Sequence, residues 1–393
     1  MKNVVFIAIL LLFSGVLPIA AQARNQGSVL VPDTSMERAQ DRGLRAHTNH
    51  LIFVRPNFTG TSPSGETPQS LRSVYKLPST GGGGIIAIVD AFHYPTAAND
   101  LNVFSKQFGL PSCTTSNGCF RVVFASGSQP RTNCGWAQEA ALDIEWAHAM
   151  APSGHIVLVE AASNSFSDLF RAIDVATSIV TTGGHHGEVS MSWGGGEFSS
   201  ETSFDSHFRN NGVIYFAASG DTGGKTIYPS VSQEVVSAGG TSVNRSSSGA
   251  FLSETGWSGS GGGPSSFELK PSYQVGVGGT SSTRRSTPDF SFDANPSTGV
   301  SVYDSTQCQG LSGWLVFGGT SVSSPSLAGV VNLAHSLRTS PTSSTGELTL
   351  MYANRTNSSD FRDILSGTAG SFSAHSGWDF VTGIGSDQGT SGK

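Results

Sequence analysis

Apolar residues come in short continuous runs, separated by longer stretches with helical period. Gly84-Ile85-Ile86-Ala87-Ile88-Val89-Asp90 predicts a buried strand, followed by a helix over Ala97–Phe108. A strand over Phe120–Phe124, a helix over 138–150, a strand over 156–159 and a helix over 166–179 continue the alternation. Further strands are expected at 188–193, Val213–Ala218, 235–238 and 314–317. Unbroken Val/Ile runs between helices predict an α/β fold with a mostly parallel sheet covered by helices on both faces. In such sheets the loops at the carboxyl ends of the strands carry the site. Residues 24–70 are polar and weakly patterned apart from Leu51-Ile52-Phe53-Val54, and read as a short N-terminal arm.

The pattern changes most abruptly at Gly318-Gly319-Thr320-Ser321-Val322-Ser323-Ser324-Pro325. There a strand-like run ends in two glycines and an apolar, helix-compatible run begins. Ser321 falls at the helix N-terminus beside free backbone N–H groups. Pro325 is expected within the first turn, where a missing N–H costs nothing. A nucleophilic serine needs such a fixed position beside donors that can hold an oxyanion. The plainer alternative is a Gly/Ser-rich turn capping a core helix.

Two further stretches supply partners for Ser321. On the helix through 138–150, Glu139 and Asp143 are one turn apart and share a face, with Ala140, Ala141, Leu142 and Ile144 around them. Apolar neighbours make bare charges costly, so two carboxyl groups there favour a shared proton over a solvated acidic stripe. Asp221, in Ser219-Gly220-Asp221, directly follows a buried strand. Asp90 also lies at a strand end and reads as structural.

Composition narrows the setting. Residues 1–23 have a Lys2 start, an apolar core and Ala21-Gln22-Ala23, the pattern of a signal peptide. The expectation is a secreted protein with no membrane association after its removal. Charged residues make up only 13% of the chain, and the net charge is −6 with no Lys/Arg cluster, which argues against nucleic acid. Four cysteines in an exported chain suggest disulfides. Cys113 and Cys119 bracket a short polar loop and are expected to pair, leaving Cys134 for Cys308, although three pairings are open.

Glu139-x-x-x-Asp143, Ser192-Trp193-Gly194, Ser219-Gly220-Asp221 and Gly319-Thr320-Ser321 follow one another in the order seen in the sedolisins, the serine-carboxyl peptidases. Leu71-Arg72-Ser73-Val74-Tyr75, Pro288-Asp289-Phe290-Ser291 and Gly377-Trp378-Asp379 extend the resemblance from about Leu71 to Gly385. It implies a subtilisin-like three-layer sandwich over residues 71–393, acting on peptide or protein substrates, and a monomer is expected. It implies Ser321 as nucleophile, Glu139 as general base and acid, Asp143 as the group orienting Glu139, and Asp221 as oxyanion-hole donor. Substrate is expected to pair as an added strand along Ser192, Trp193, Gly194 and Gly195, where glycines leave room for a second backbone. One structural Ca2+ is implied near the C-terminus, on the side chains of Asp363 and Asp379 and the carbonyls of Ile364, His375 and Gly377. Family members carry a long N-terminal propeptide domain; residues 24–70 are too short for one, so no processing beyond signal removal is expected. The alternative function is an exported, non-catalytic peptide-binding pseudopeptidase of the same fold.

Overall fold

The structure is a computed structural model that describes residues 27–56, 58–337 and 341–393; the predicted signal peptide lies outside them. Its centre is a parallel sheet with the strand order Phe120–Phe124, His155–Ala161, Ile85–Ala91, Gly187–Met191, Val213–Ala218, Val236–Arg245 and Phe290–Asp293. Short strands at Ser386–Asp387 and Phe361–Arg362 extend one edge. Side chains alternate between two cores, as a period of two requires. Ile86, Ile88, Ile156 and Leu158 enter one core with the helices Cys134–Met150 and Thr320–Leu337. Ala87, Val89, Val157, Val159 and Val189 enter the other, with Phe166–Thr181. Because both faces are covered, the strands are apolar throughout instead of alternating with polar residues.

The helix Cys134–Met150 lies inside the molecule, and every residue from Gly135 to Met150 is buried. It starts four residues before the predicted helix, because Asn133 caps it, accepting from the backbone N–H of Gly135 at 3.1 Å and of Trp136 at 3.2 Å. The helix Thr320–Leu337 crosses it closely at Gly329. A Cβ there would come within 2.7 Å of Met150 Cβ, so glycine sets the approach of the two helices. The disulfide Cys134–Cys308 ties the first residue of the buried helix to the strand Val300–Cys308, and Cys113–Cys119 closes the short loop.

The predicted strand over 188–193 divides in two. Gly187–Met191 stays in the central sheet, while Trp193–Gly196 leaves it and pairs antiparallel with Ile227–Tyr228 on one side. On its other side lies His47–Thr48 of the N-terminal arm. The arm continues into Leu51–Val54, which pairs antiparallel with Ser28–Leu30 and with Leu311–Gly318, the strand that leads to Ser321. Residues 47–54 therefore run across the carboxyl end of the central sheet.

Candidate active site

Ser321 is the second residue of the helix Thr320–Leu337, two residues beyond a tight turn at Gly319. Gly319 has φ +97°, and a Cβ on it would lie 2.2 Å from Asn49 O and 2.5 Å from Asp221 Oδ2. Two oxygen atoms thus converge on the space this glycine leaves open. Pro325 is the sixth residue of the helix and not in its first turn, which corrects the sequence reading. Its missing N–H frees the Ser321 carbonyl, and Ser192 Oγ reaches that carbonyl at 3.4 Å.

Asp221 follows the strand Val213–Ala218 and turns one oxygen to the helix start. Its Oδ1 accepts from Thr320 N at 2.7 Å and Thr320 Oγ1 at 2.9 Å. Its Oδ2 is buried without a protein partner. Burial pushes the Asp221 carboxyl up to about 8, against the two Thr320 bonds that favour its charged form and with Glu139 raising it further. Below that pH, Oδ2 can carry a proton and donate.

Glu139 and Asp143 sit one turn apart on the buried helix, both fully buried. Glu139 Oε2 accepts from Asn49 N and faces His50 Nδ1, each at 3.0 Å, while its Oε1 has no protein partner. Asp143 Oδ1 accepts from Ser192 Oγ at 2.8 Å, and its Oδ2 is likewise without a partner. Asp143 is held well above the usual carboxylate range by burial, then by the charges of Asp90 and Glu139. Burial acts in the same way on Asp90, followed by the charges of Glu139 and Glu160, and both Asp90 oxygens are buried and unpartnered. The strand end read as structural therefore contributes a third carboxyl to this cluster. Asp143 thus bonds Ser192, and the charge of Glu139 adds to the rise of the Asp143 carboxyl.

Ser321 Oγ donates to the Ser192 carbonyl at 3.2 Å and not to Glu139. The Ser321 backbone N–H donates to Asn49 O at 3.0 Å. The geometry thus places a serine hydroxyl, an N–H, a neutral-capable carboxylic acid and a cluster of buried carboxyl groups around one peptide unit. Such a set can form an acyl intermediate and hold its oxyanion.

No protein-family model matches the chain. Over 175 residues it is 35% identical to sedolisin of Pseudomonas sp. (strain 101), covering 40% of this chain and 28% of that protein. Over 367 residues it is 28% identical to kumamolisin of Bacillus sp. (strain MN-32), covering 83% of this chain and 62% of that one. The structure of Pseudomonas sedolisin, a serine-carboxyl proteinase complexed with two molecules of pseudo-iodotyrostatin, superposes with a TM-score of 0.70. That match has 25% identity and covers 83% of this chain and 96% of that chain. In sequence and in fold the chain is similar to the sedolisins. The matches span less than two thirds of the length of either curated relative. Sphericase, at 18% identity and a TM-score of 0.52, shares the subtilisin-like fold.

Trp193, Gly194 and Gly195 lie on a buried strand directly after Ser192, and the edge expected to take substrate is paired with the arm. Near the C-terminus, Asp363 and Asp379 both face the loop 375–377. Asp363 Oδ2 accepts from Gly377 N at 3.0 Å and Ser376 Oγ at 3.3 Å. Asp379 accepts from His375 N at 3.2 Å, and from Val381 N and Thr382 N at 2.8 Å. The donor set, two carboxylates with the carbonyls of Ile364, His375 and Gly377, is all hard oxygen and fits calcium in kind. As folded, the loop turns N–H groups toward both carboxylates, so ion binding requires it to reorient.

Sequence reasoning overlooked Asn49 and His50, which touch Glu139 and Ser321, and Thr320, which anchors Asp221. The readable signal was His47-Thr48-Asn49-His50, four polar residues placed directly before the apolar strand of the arm.

Proposed function

We propose that this chain is a secreted serine-carboxyl peptidase that hydrolyses peptide bonds at acidic pH. Ser321 attacks the substrate carbonyl, Glu139 takes its proton and returns it to the leaving amine, and Asp143 orients Glu139 by charge. Asp221 and the Ser321 N–H hold the oxyanion. The observation that carries this reading is the state of Asp221: one oxygen bound to Thr320, the other bare, buried and facing the space above Gly319. A carboxylic acid can serve as an oxyanion donor only when protonated. Export is supported by the two disulfides, which suit an oxidising compartment. No helix among the described residues is long and apolar enough to cross a membrane.

A second reading, a peptide-binding protein without catalysis, draws on the bond from Ser321 Oγ to Ser192 O in place of one to Glu139. A fluorophosphonate probe separates the two. Labelling at Ser321 near pH 4, with peptide cleavage lost by about 10⁴-fold or more in Ser321→Ala, is the expected result. Peptide binding without labelling or cleavage decides for the binding protein.

We further propose that calcium, held by Asp363, Asp379 and the carbonyls of Ile364, His375 and Gly377, ties the C-terminal loops to the body. A bound ion stabilises by mass action. A chelator is expected to lower the melting temperature of the wild type and to leave that of Asp379→Ala unchanged. Equal melting of the wild type with and without chelator removes the site.

A further inference from the structure

The helix that begins at Ser321 ends beside a small polar cavity at the far side of the central sheet. Ser321 and His335 stand near its two ends, about 20 Å apart by helical rise. Glu188 is the second residue of the strand Gly187–Met191, whose other end leads to Ser192. The cavity has a volume of about 220 Å³, and His185, His186, Glu188, Asn332 and His335 are among the residues lining it.

The buried groups of this cavity are held from behind. Asn332 Nδ2 donates to Glu188 Oε2 at 2.8 Å and to the Gly83 carbonyl at 2.5 Å. Gly83 N donates back to Asn332 Oδ1 at 2.9 Å, which fixes the amide and with it the carboxyl. Glu188 is only 1% exposed, and its Oε1 has no hydrogen-bond partner. That oxygen lies 3.5 Å from His335 Nδ1. The other ring nitrogen, Nε2, lies 3.2 Å from Oε2 of the fully buried Glu347. His185 and His186 are the exposed histidines of the lining. A separation of 3.5 Å is long for a hydrogen bond. It suits two ligands of one tetrahedral ion, whose donor atoms at about 2.0–2.1 Å from the metal stand about 3.4 Å apart.

We propose that Glu188 Oε1 and His335 Nδ1, completed by the His185-His186 pair, bind one divalent ion of the zinc class. Imidazole and carboxylate together suit zinc, whereas calcium prefers oxygen alone, so this site and the one at Asp363 and Asp379 select different ions. The ion takes the place of a proton between Glu188 and His335. The imidazole proton then sits on Nε2 and is donated to Glu347, the carboxylate that fixes the tautomer of a metal-bound histidine. Asn332 orients Glu188 in the same way. Side-chain rotation of His185 or His186 brings the third ligand, and water fills the fourth position. The bound ion joins the strand Gly187–Met191 to the end of the Ser321 helix and, through Glu347, to the helix Ser344–Asn354. Its role is structural, because it sits at the opposite end of both elements from Ser321 and Ser192.

The test uses the full chain carrying Ser321→Ala, free of any added histidine tag, stripped with chelator and held at pH 7. Zn2+ itself is the probe. Equilibrium dialysis should give one ion per chain, and zinc at about a hundredfold over its dissociation constant should raise the melting temperature by about 3–5 °C. Excess Ca2+ should not displace it, and Asp379→Ala should bind it as tightly. Glu188→Gln, His335→Gln and the double replacement of His185 and His186 by Ala should each weaken binding at least tenfold. Co2+ in the same unaltered site should show the strong visible absorption of four-coordinate cobalt, a readout that stands even where a variant fails to fold. No zinc binding, or only the weak spectrum of six-coordinate cobalt, overturns the site and leaves His335 in an ion pair with its carboxylates. Zinc held equally well by Glu188→Gln and His335→Gln belongs to the surface and overturns it too. A histidine double variant of full affinity overturns the site as drawn.

Discussion

Asp221→Ala is expected to lower turnover by roughly a hundredfold or more, the usual cost of losing one oxyanion donor. The loss should fall on turnover more than on the Michaelis constant, because the donor acts on charge that develops in the transition state. The pH dependence has a definite sign. Burial pushes Asp221 up to about 8, so its proton is present through the acid range and lost as pH rises through that value. Activity should therefore be high in the acid range and fall along an alkaline limb as pH rises through about 8, with roughly half of it left near that value. Asp221→Asn donates at any pH and is expected to keep part of the activity while moving the alkaline limb upward. Full profiles of the wild type and both variants, with melting curves to confirm folding, decide the point. A wild-type optimum above pH 8, or an Asp221→Ala variant of normal turnover, would falsify the assignment.

The protein should also be more stable at pH 4 than at pH 8. Asp221 is pushed up to about 8, Glu188 and Asp304 each to about 7, and Asp387 to about 6, all chiefly by burial. A carboxyl with a raised folded value binds more protons folded than unfolded. Its contribution is complete below the unfolded pKa of about 4 and is lost as pH climbs through the folded value. His148 opposes this, since burial holds its imidazole at about 4 and favours folding as pH rises from there. Each tenfold change in proton affinity between the folded and unfolded chain is worth about 1.4 kcal/mol, so four carboxyl groups outweigh one imidazole. The net loss from pH 4 to pH 8 should be on the order of several kcal/mol, or a fall of about 10 °C in melting temperature. Calorimetry on Ser321→Ala, which cannot digest itself on the peptidase reading, measures this directly. A melting temperature that rises steadily from pH 4 to pH 8 would refute it.

Much of this was legible from residues close together in sequence. The run Ile85–Ala91 is almost wholly apolar, which only a strand covered on both faces permits, and the sheet places it second from the strand Val213–Ala218. Glu139 and Asp143 share a face because a helix brings every fourth residue round, and their apolar neighbours foretold burial. Ser321 lies at the strand-to-helix junction because two glycines break one period just before the other starts.

What the chain could not disclose locally is which distant segment faces each of these groups. A period fixes the buried side of an element, and says nothing of what covers it. The polar stretch His47-Thr48-Asn49-His50 carries no hydrophobic period. Only the pairing of His47–Thr48 with Trp193–Gly196, and of Leu51–Val54 with Leu311–Gly318, brings Asn49 onto Ser321 and His50 onto Glu139. Asp90 reads as an ordinary strand end until the fold sets its bare carboxyl beside Glu139 and Asp143. Asp143 bonds Ser192, and the carbonyl released by Pro325 meets the same hydroxyl, through contacts between the buried helix, the cleft strand and the Ser321 helix. Sequence by itself determined the elements and the positions of the reactive groups within them. Tertiary structure decided their partners, because hydrogen bonds and charge interactions depend on distances that only the packed sheet and helices set.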